Sequence, residues 1–328
     1  MGRATPSLTA MVNQVLPRKR IRGADAQMDP TETTRERLVS VIIPAFNHER
    51  FVGKCLDSII ADEYRAKEIV VIDDGSSDGT LGVVEAWAAR HQGTIPISLV
   101  SRPNRGLTCT LNELLRMARG EFVIPVASDD YLLPGGIQAL ATALAADQAC
   151  HAVFGDSVVV NEVGDVIYPS TLSDYRRANR RWLTSRLAEA VITNWAVPGS
   201  ALLYRRERIL AIGGYNEDLL VEDWDFYLRL VSRGWLRFVD CKVAAYRLHE
   251  GNEHRSFKNQ VRHEKEMRGV ALKAARRFRG RRRLLLLIEA MSYSPPLMGL
   301  QAGKLTDLPG RAVRRVIRMC ARTLASLG

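Results

Sequence analysis

From residue 38 onward, short apolar runs alternate with longer stretches of mixed apolar and polar positions. The period changes at each switch, as it does where strands alternate with helices. Residues 39–43, dominated by β-branched side chains, predict a strand, and residues 51–61 predict a helix. The alternation continues with strands over 68–72, 97–100 and 121–126, and with helices over 80–90, 107–118 and 134–146. Pro134 suits a first helical turn, where its missing N–H is no loss. Four β-α units in succession predict an α/β domain with a parallel sheet and right-handed crossovers. Past residue 150 the pattern loosens into short strands, a polar stretch over 173–181 and a helix over 222–232. Residues 1–36 mix Gly, Pro, Thr, Arg and Asp without a sustained period and read as a flexible leader.

Composition alters this picture mainly at the end of the chain. The 328 residues, 46% hydrophobic and 25% charged, are those of an ordinary globular protein with room for one large core and a smaller appendage. Apolar runs such as 284–288 fall far short of the roughly 20 residues needed to cross a bilayer. Residues 1–20 lack a signal-peptide core, so the chain is expected in the cytoplasm. Cys55, Cys109, Cys150, Cys241 and Cys320 are scattered singly and suggest neither a disulfide framework nor a thiolate metal site.

The net charge of +11 is uneven: residues 255–328 hold 18 Lys and Arg against 4 Asp and Glu, which leaves the preceding part slightly acidic. Six arginines crowd residues 276–283, and Val313, Val316, Ile317, Cys320 and Leu324 recur at helical spacing opposite further arginines. This predicts a basic helical tail that meets an anionic membrane surface, against the plainer reading of a solvated face packed on the domain. Nucleic acid is not expected, because no aromatic stacking platform or known binding module accompanies the arginines.

In a parallel α/β sheet the ligand site lies beyond the carboxyl ends of the strands, and the polar clusters of this chain fall there. Residues 44–47 follow the first strand, Asp73 and Asp74 the second, residues 102–106 the third, and Asp129 and Asp130 the fourth. The string VIDDGSSDGT over 71–80 has a plain reading as a turn with Asp78 capping the next helix. A second acidic pair at the same sheet edge adds weight. Two such pairs repel unless a cation or ligand hydroxyls lie between them, and a hard divalent ion holding a diphosphate meets both needs.

Taken in order, VIIPAFN at 41–47, the string at 71–80, Asn104, Arg105 and Gly106 with Asn112, GEFVI at 120–124 leading to Ser128, Asp129 and Asp130, and EDWD at 222–225 with Arg229 resemble a family 2 glycosyltransferase. The resemblance spans residues 38 to about 250. It implies an α/β, Rossmann-like GT-A nucleotide-diphospho-sugar transferase fold over residues 37–254, with a nucleotide-binding half to residue 150 and an acceptor half after it, followed by the basic helical extension over 255–328. It also implies a donor site at Pro44, Ala45, Phe46, Asn47, Asp73, Asp74, Arg102, Arg105 and Asp129. A divalent metal, Mn²⁺ or Mg²⁺, is expected on Asp129, Asp130 and His249. Two positions depart from the family: Ala127 replaces the first carboxylate of its D-x-D-D string, and Leu111 stands where many relatives have Arg.

A hydroxyl acceptor is too weakly acidic to attack unaided, and the place of Asp223 in the family pattern implies that it is the general base. Helix capping is the plainer reading of Glu222 and Asp223, and Glu222, Asp225 and Arg229 are expected around the acceptor or behind it. The string HEGNEH at 249–254 is no zinc-protease motif, since its second His comes five residues on instead of four. The expected activity is inverting transfer of a sugar from a nucleotide diphosphate, a UDP-sugar first, to a hydroxyl of a glycan or glycolipid, at the inner face of the cell membrane. The alternatives are a nucleotidyltransferase, or an inactive sugar-nucleotide-binding membrane scaffold.

Overall fold

The computed structural model describes residues 36–195, 197–219, 222–252, 260–293 and Thr323. The first half follows the predicted alternation: β1 (Val39–Ala45), α1 (Val52–Ala61), β2 (Lys67–Asp73), α2 (Thr80–Arg90), β3 (Ile97–Ser101), α3 (Leu107–Met117) and β4 (Phe122–Pro125). A two-residue strand, β5 (Tyr131–Leu132), then precedes α4 (Gly136–Ala146). Pro134 therefore sits in the turn before the helix. The predicted start is corrected by the N–H of Leu133, which bonds to the Val243 carbonyl at 2.8 Å and holds this stretch to the sheet.

Period-two alternation sorts the strand side chains between two cores. Val39, Val41, Ile43 and Ala45 face Val52, Cys55, Leu56 and Ile59 of α1, with Trp87 and Leu140 in the same cluster. Ile42, Val70 and Ile72 point the other way, into a core that includes Leu111, Leu114 and Leu115 of α3. Both faces are covered, so these strands are almost continuously apolar.

The sheet order is β3-β2-β1-β4-β8-β6-β9-β5, with β7 beside β6. The chain runs outward from β1 to β2 and β3, then returns to place β4 on the other flank of β1, parallel to it. That reversal opens a crevice at the carboxyl ends of β1 and β4, where ligands of such sheets bind.

The second half continues the sheet with β6 (Ala152–Val160), β7 (Val166–Tyr168), α5 (Arg180–Ser185), α6 (Leu187–Asn194), β8 (Leu202–Arg205), α7 (Arg206–Ala211), α8 (Glu222–Ser232) and β9 (Leu236–Arg247). The expectation of only short strands here is corrected: β6 has 9 residues and β9 has 12. Arg237, Asp240 and Lys242 hide the apolar pattern of β9, whose middle is only partly buried.

The predicted tail contributes α9 (Gln260–Ala275) and α10 (Gly280–Ser292). Met267, Val270, Ala271, Ala274, Leu285, Leu286 and Ala290 enter the same core as α6 and α8. Arg282 pairs with Glu189 of α6 at 3.0 Å, and Arg277 approaches Asp225 of α8 at 3.7 Å. Residues 260–293 are thus a wall of the domain. The second basic stretch, residues 313–324, lies outside the described residues apart from Thr323.

Candidate active site

The β1 loop and the β2 loop are tied to each other first. Asn47, with φ of 54°, accepts at Oδ1 from the Ser77 N–H at 2.8 Å, and the His48 N–H donates to Thr80 Oγ1 at 2.8 Å. The turn after Asp74 needs glycine: Gly75 has φ of +75°, and a Cβ there would lie 2.7 Å from the Asn104 nitrogen. These contacts leave the ring of Phe46 half exposed beyond the end of β1, with Pro44 and Ala45 in the strand beneath it.

The two acidic residues after β2 diverge. Asp74 accepts from the Arg102 guanidinium and from the N–H groups of Arg105 at 2.8 Å and Gly106 at 2.9 Å. Arg102 is itself held by Glu113 and Thr110. Both were expected at the donor, and both are instead committed to building the β3–α3 loop. Arg105 keeps an exposed side chain. Asp73 receives the Ser76 N–H and the Ser101 hydroxyl on Oδ2, while its buried Oδ1 has no partner among the described residues.

After β4 the pair diverges again. Asp130 is fully inside: Oδ2 accepts from Ser200 at 2.6 Å and Oδ1 from the Arg247 N–H at 2.9 Å. Burial and the adjacent Asp129 push its carboxyl well above the usual range. Asp129 Oδ2 instead lies 2.9 Å from His249 Nε2, 3.3 Å from Asn252 Nδ2 and 3.8 Å from His48 Nε2. Burial alone would raise Asp129, but the His249 bond and the His48 charge outweigh it and hold the carboxyl below its ordinary value.

Ligand atoms of His48, Asp129 and His249 lie within 4.8 Å of one another, a grouping able to hold a cation. Each comes from a different part of the sheet edge: the loop after β1, the turn after β4, and the chain leaving β9. Arg247 fastens the last two by donating from Nε to the Asp129 carbonyl at 2.9 Å. Ser128 Oγ, 2.7 Å from His48 Nδ1, orients that ring. Asp130 is not in the group, because its oxygens are taken by Ser200 and Arg247; the predicted ligand role gives way to a framework role. His48 was missed in the sequence, although it directly follows Asn47.

Asp223 begins α8 beside Glu222, and its carboxyl is pushed up to about 6 by burial, against the opposing charge of Arg176 and the Trp224 N–H. Arg176 also acts on Tyr246, which feels Asp129 and Asp130. Asp225 and Arg229 form a buried pair at 2.8 Å, and Arg229 also donates to the carbonyls of Ile212 and Gly214. These contacts lock α8 to the preceding loop.

A family model described as glycosyl transferase family 2 matches residues 40–209, just over half of the chain. The chain belongs to this family. The glycosyltransferase is 25% identical over 237 residues to the chondroitin synthase of Escherichia coli, a match covering 72% of this chain and 32% of that protein. It thus spans about a third of that relative's length. Among solved structures, S. aureus TarS 1–349 in complex with UDP-GlcNAc superposes with a TM-score of 0.63 at 20% identity, over 87% of this chain and 81% of that one. The mannosyltransferase PcManGT of Pyrobaculum calidifontis, in complex with GDP-Man and Mn²⁺, gives 0.59 at 20% identity, over 88% and 87%. The fold is that of the GT-A transferases, a mixed α/β structure around a mostly parallel sheet. The family match ends before Asp223 and His249.

Proposed function

We propose that this glycosyltransferase moves a sugar from a nucleotide diphosphate to a hydroxyl of a glycan or glycolipid, with inversion and with help from a divalent metal. The observation that carries this reading is the grouping of His48, Asp129 and His249 at the crevice between β1 and β4. Two imidazoles and one carboxylate suit Mn²⁺ better than Mg²⁺, which prefers oxygen. His48 would supply a ligand atom in a site whose first family carboxylate is replaced by Ala127. When bound, the metal would neutralise charge on the departing nucleoside diphosphate.

The chain's own residues supply the rest. Phe46 offers a ring to the nucleotide base, and Oδ1 of Asp73, without a partner among the described residues, suits an N–H donor such as the imide of a pyrimidine. That chemistry favours a UDP-sugar. Arg105, exposed and 3.4 Å from Glu113, would turn to a phosphate of the donor. Asp223 takes the proton from the acceptor hydroxyl as it attacks the sugar in one in-line displacement, and the raised carboxyl makes it a stronger base than an ordinary aspartate.

The test is incubation with a panel of sugar nucleotides and Mn²⁺. Release of nucleoside diphosphate, with the sugar appearing on an added glycan acceptor in inverted configuration, supports the proposal. Pyrophosphate release would indicate nucleotidyl transfer, and donor binding without any turnover would indicate an inactive scaffold.

A further inference from the structure

α10 has two apolar faces. Leu285, Leu286 and Ala290 fill the core, while Leu284, Leu287 and Met291 stand on the opposite side, 48%, 37% and 61% exposed. Their i, i+3, i+7 spacing makes a continuous stripe where an ordinary surface helix carries polar residues. At about 100° per residue, Arg281 and Arg283 flank that stripe on its two sides.

The arginines divide by task. Arg277 and Arg282 turn to Asp225 and Glu189 and fix the hairpin of α9 and α10 to the domain. Arg276, Arg279 and Arg283 are exposed, and none is in an ion pair with a described residue. One helix end thus presents several positive charges around an apolar stripe already held in a fixed orientation by the core.

We propose that α10 lies flat in the headgroup layer of an anionic lipid membrane, with Leu284, Leu287 and Met291 below the headgroups and Arg276, Arg279 and Arg283 on lipid phosphates. The combination selects this partner. Nucleic acid would use the arginines and leave the stripe in water. A second copy placed symmetrically on the same face would bring like charges together. At 13 residues, about 20 Å, α10 is too short to cross a bilayer, and no described helix is long and apolar enough to do so. A helix of this pattern docks through apolar insertion and phosphate attraction acting together. The inference does not depend on the sugar-transfer reading.

The full chain is to be sedimented, without donor or acceptor, with vesicles of phosphatidylcholine plus phosphatidylglycerol and with vesicles of phosphatidylcholine alone. The parent should bind the first and not the second, and should release as salt rises. Leu284→Gln, Leu287→Gln and Met291→Gln together should weaken binding at least about tenfold without lowering the melting temperature, because these side chains are exposed. Arg276→Gln, Arg279→Gln and Arg283→Gln together should weaken it about 10²-fold at low salt. A folded stripe variant that binds as tightly as the parent would overturn the proposal. So would a parent that ignores anionic vesicles, binds both kinds equally, or changes only its oligomeric state by light scattering when the stripe is replaced.

Discussion

The turns after β2 and β4 each carry two adjacent aspartates, yet the two pairs are neutralised differently. At the first, a guanidinium and two backbone N–H groups hold Asp74. At the second, a hydroxyl and one N–H hold Asp130, whose carboxyl is pushed well above the usual range. In both pairs the second residue braces the surrounding chain through its own hydrogen bonds. Asp73 keeps an oxygen without a described partner, while Asp129 is drawn among imidazoles. Two neighbouring carboxylates need not repel across a shared cation when each has its own compensation inside the protein. Asp129 and its histidines, and not four converging acids, are the grouping able to hold a cation.

The largest expected effect lies outside both pairs. Asp223→Asn should lower transfer by about 10²- to 10⁴-fold while donor binding is kept. If donor affinity falls instead and the maximal rate stays, Asp223 belongs to binding. Since a base must be unprotonated and this carboxyl titrates at about 6, transfer should climb as pH rises through that value and level off above it. A rate that stays flat well below pH 6 would remove Asp223 as the base.

His48→Gln sharpens the contrast from the metal side. Removing one imidazole ligand should weaken Mn²⁺ affinity by more than about 10²-fold, beyond the 10- to 100-fold typical of a group that only supports the ligands. Isothermal titration would read it, and an unchanged affinity would return His48 to a packing role. Asp74→Asn should act on stability, lowering unfolding free energy by about 1–3 kcal/mol because a mostly buried guanidinium loses its charged acceptor. Denaturant melts measure this, and an unchanged midpoint with lost donor binding would put Asp74 back at the donor.

The first-half elements were readable because parallel strands buried on both faces are written as apolar runs such as residues 39–43 and 68–72. β9 was not, since its charged residues interrupt the pattern at the exposed end of the sheet. At the site, Asp129 and His249, which the fold brings together with His48, were expected from motif order. The framework roles of Asp74, Asp130 and Arg102 could not, because they depend on partners 28 to 117 positions away in sequence. His48 had a local signal, its place directly after the β1 loop, but its partner Asp129 comes near only once β4 is laid beside β1. The first part of the basic tail, residues 260–292, was legible as helix and charge. Its inner face, packed on α6 and α8, was hidden because the run of arginines over 281–283 and the unbroken leucines over 284–287 show no single apolar stripe.

The most direct measurement compares Mn²⁺ binding, by isothermal titration in the presence of nucleoside diphosphate, in the parent, Asp129→Asn and Asp130→Asn. The parent and a folded Asp130→Asn should bind within about tenfold of each other, while Asp129→Asn should lose more than about 10²-fold, as expected when a ligand rather than a supporting group is removed. Loss of binding in a folded Asp130→Asn, with Asp129→Asn binding like the parent, would contradict the assignment of the metal to His48, Asp129 and His249.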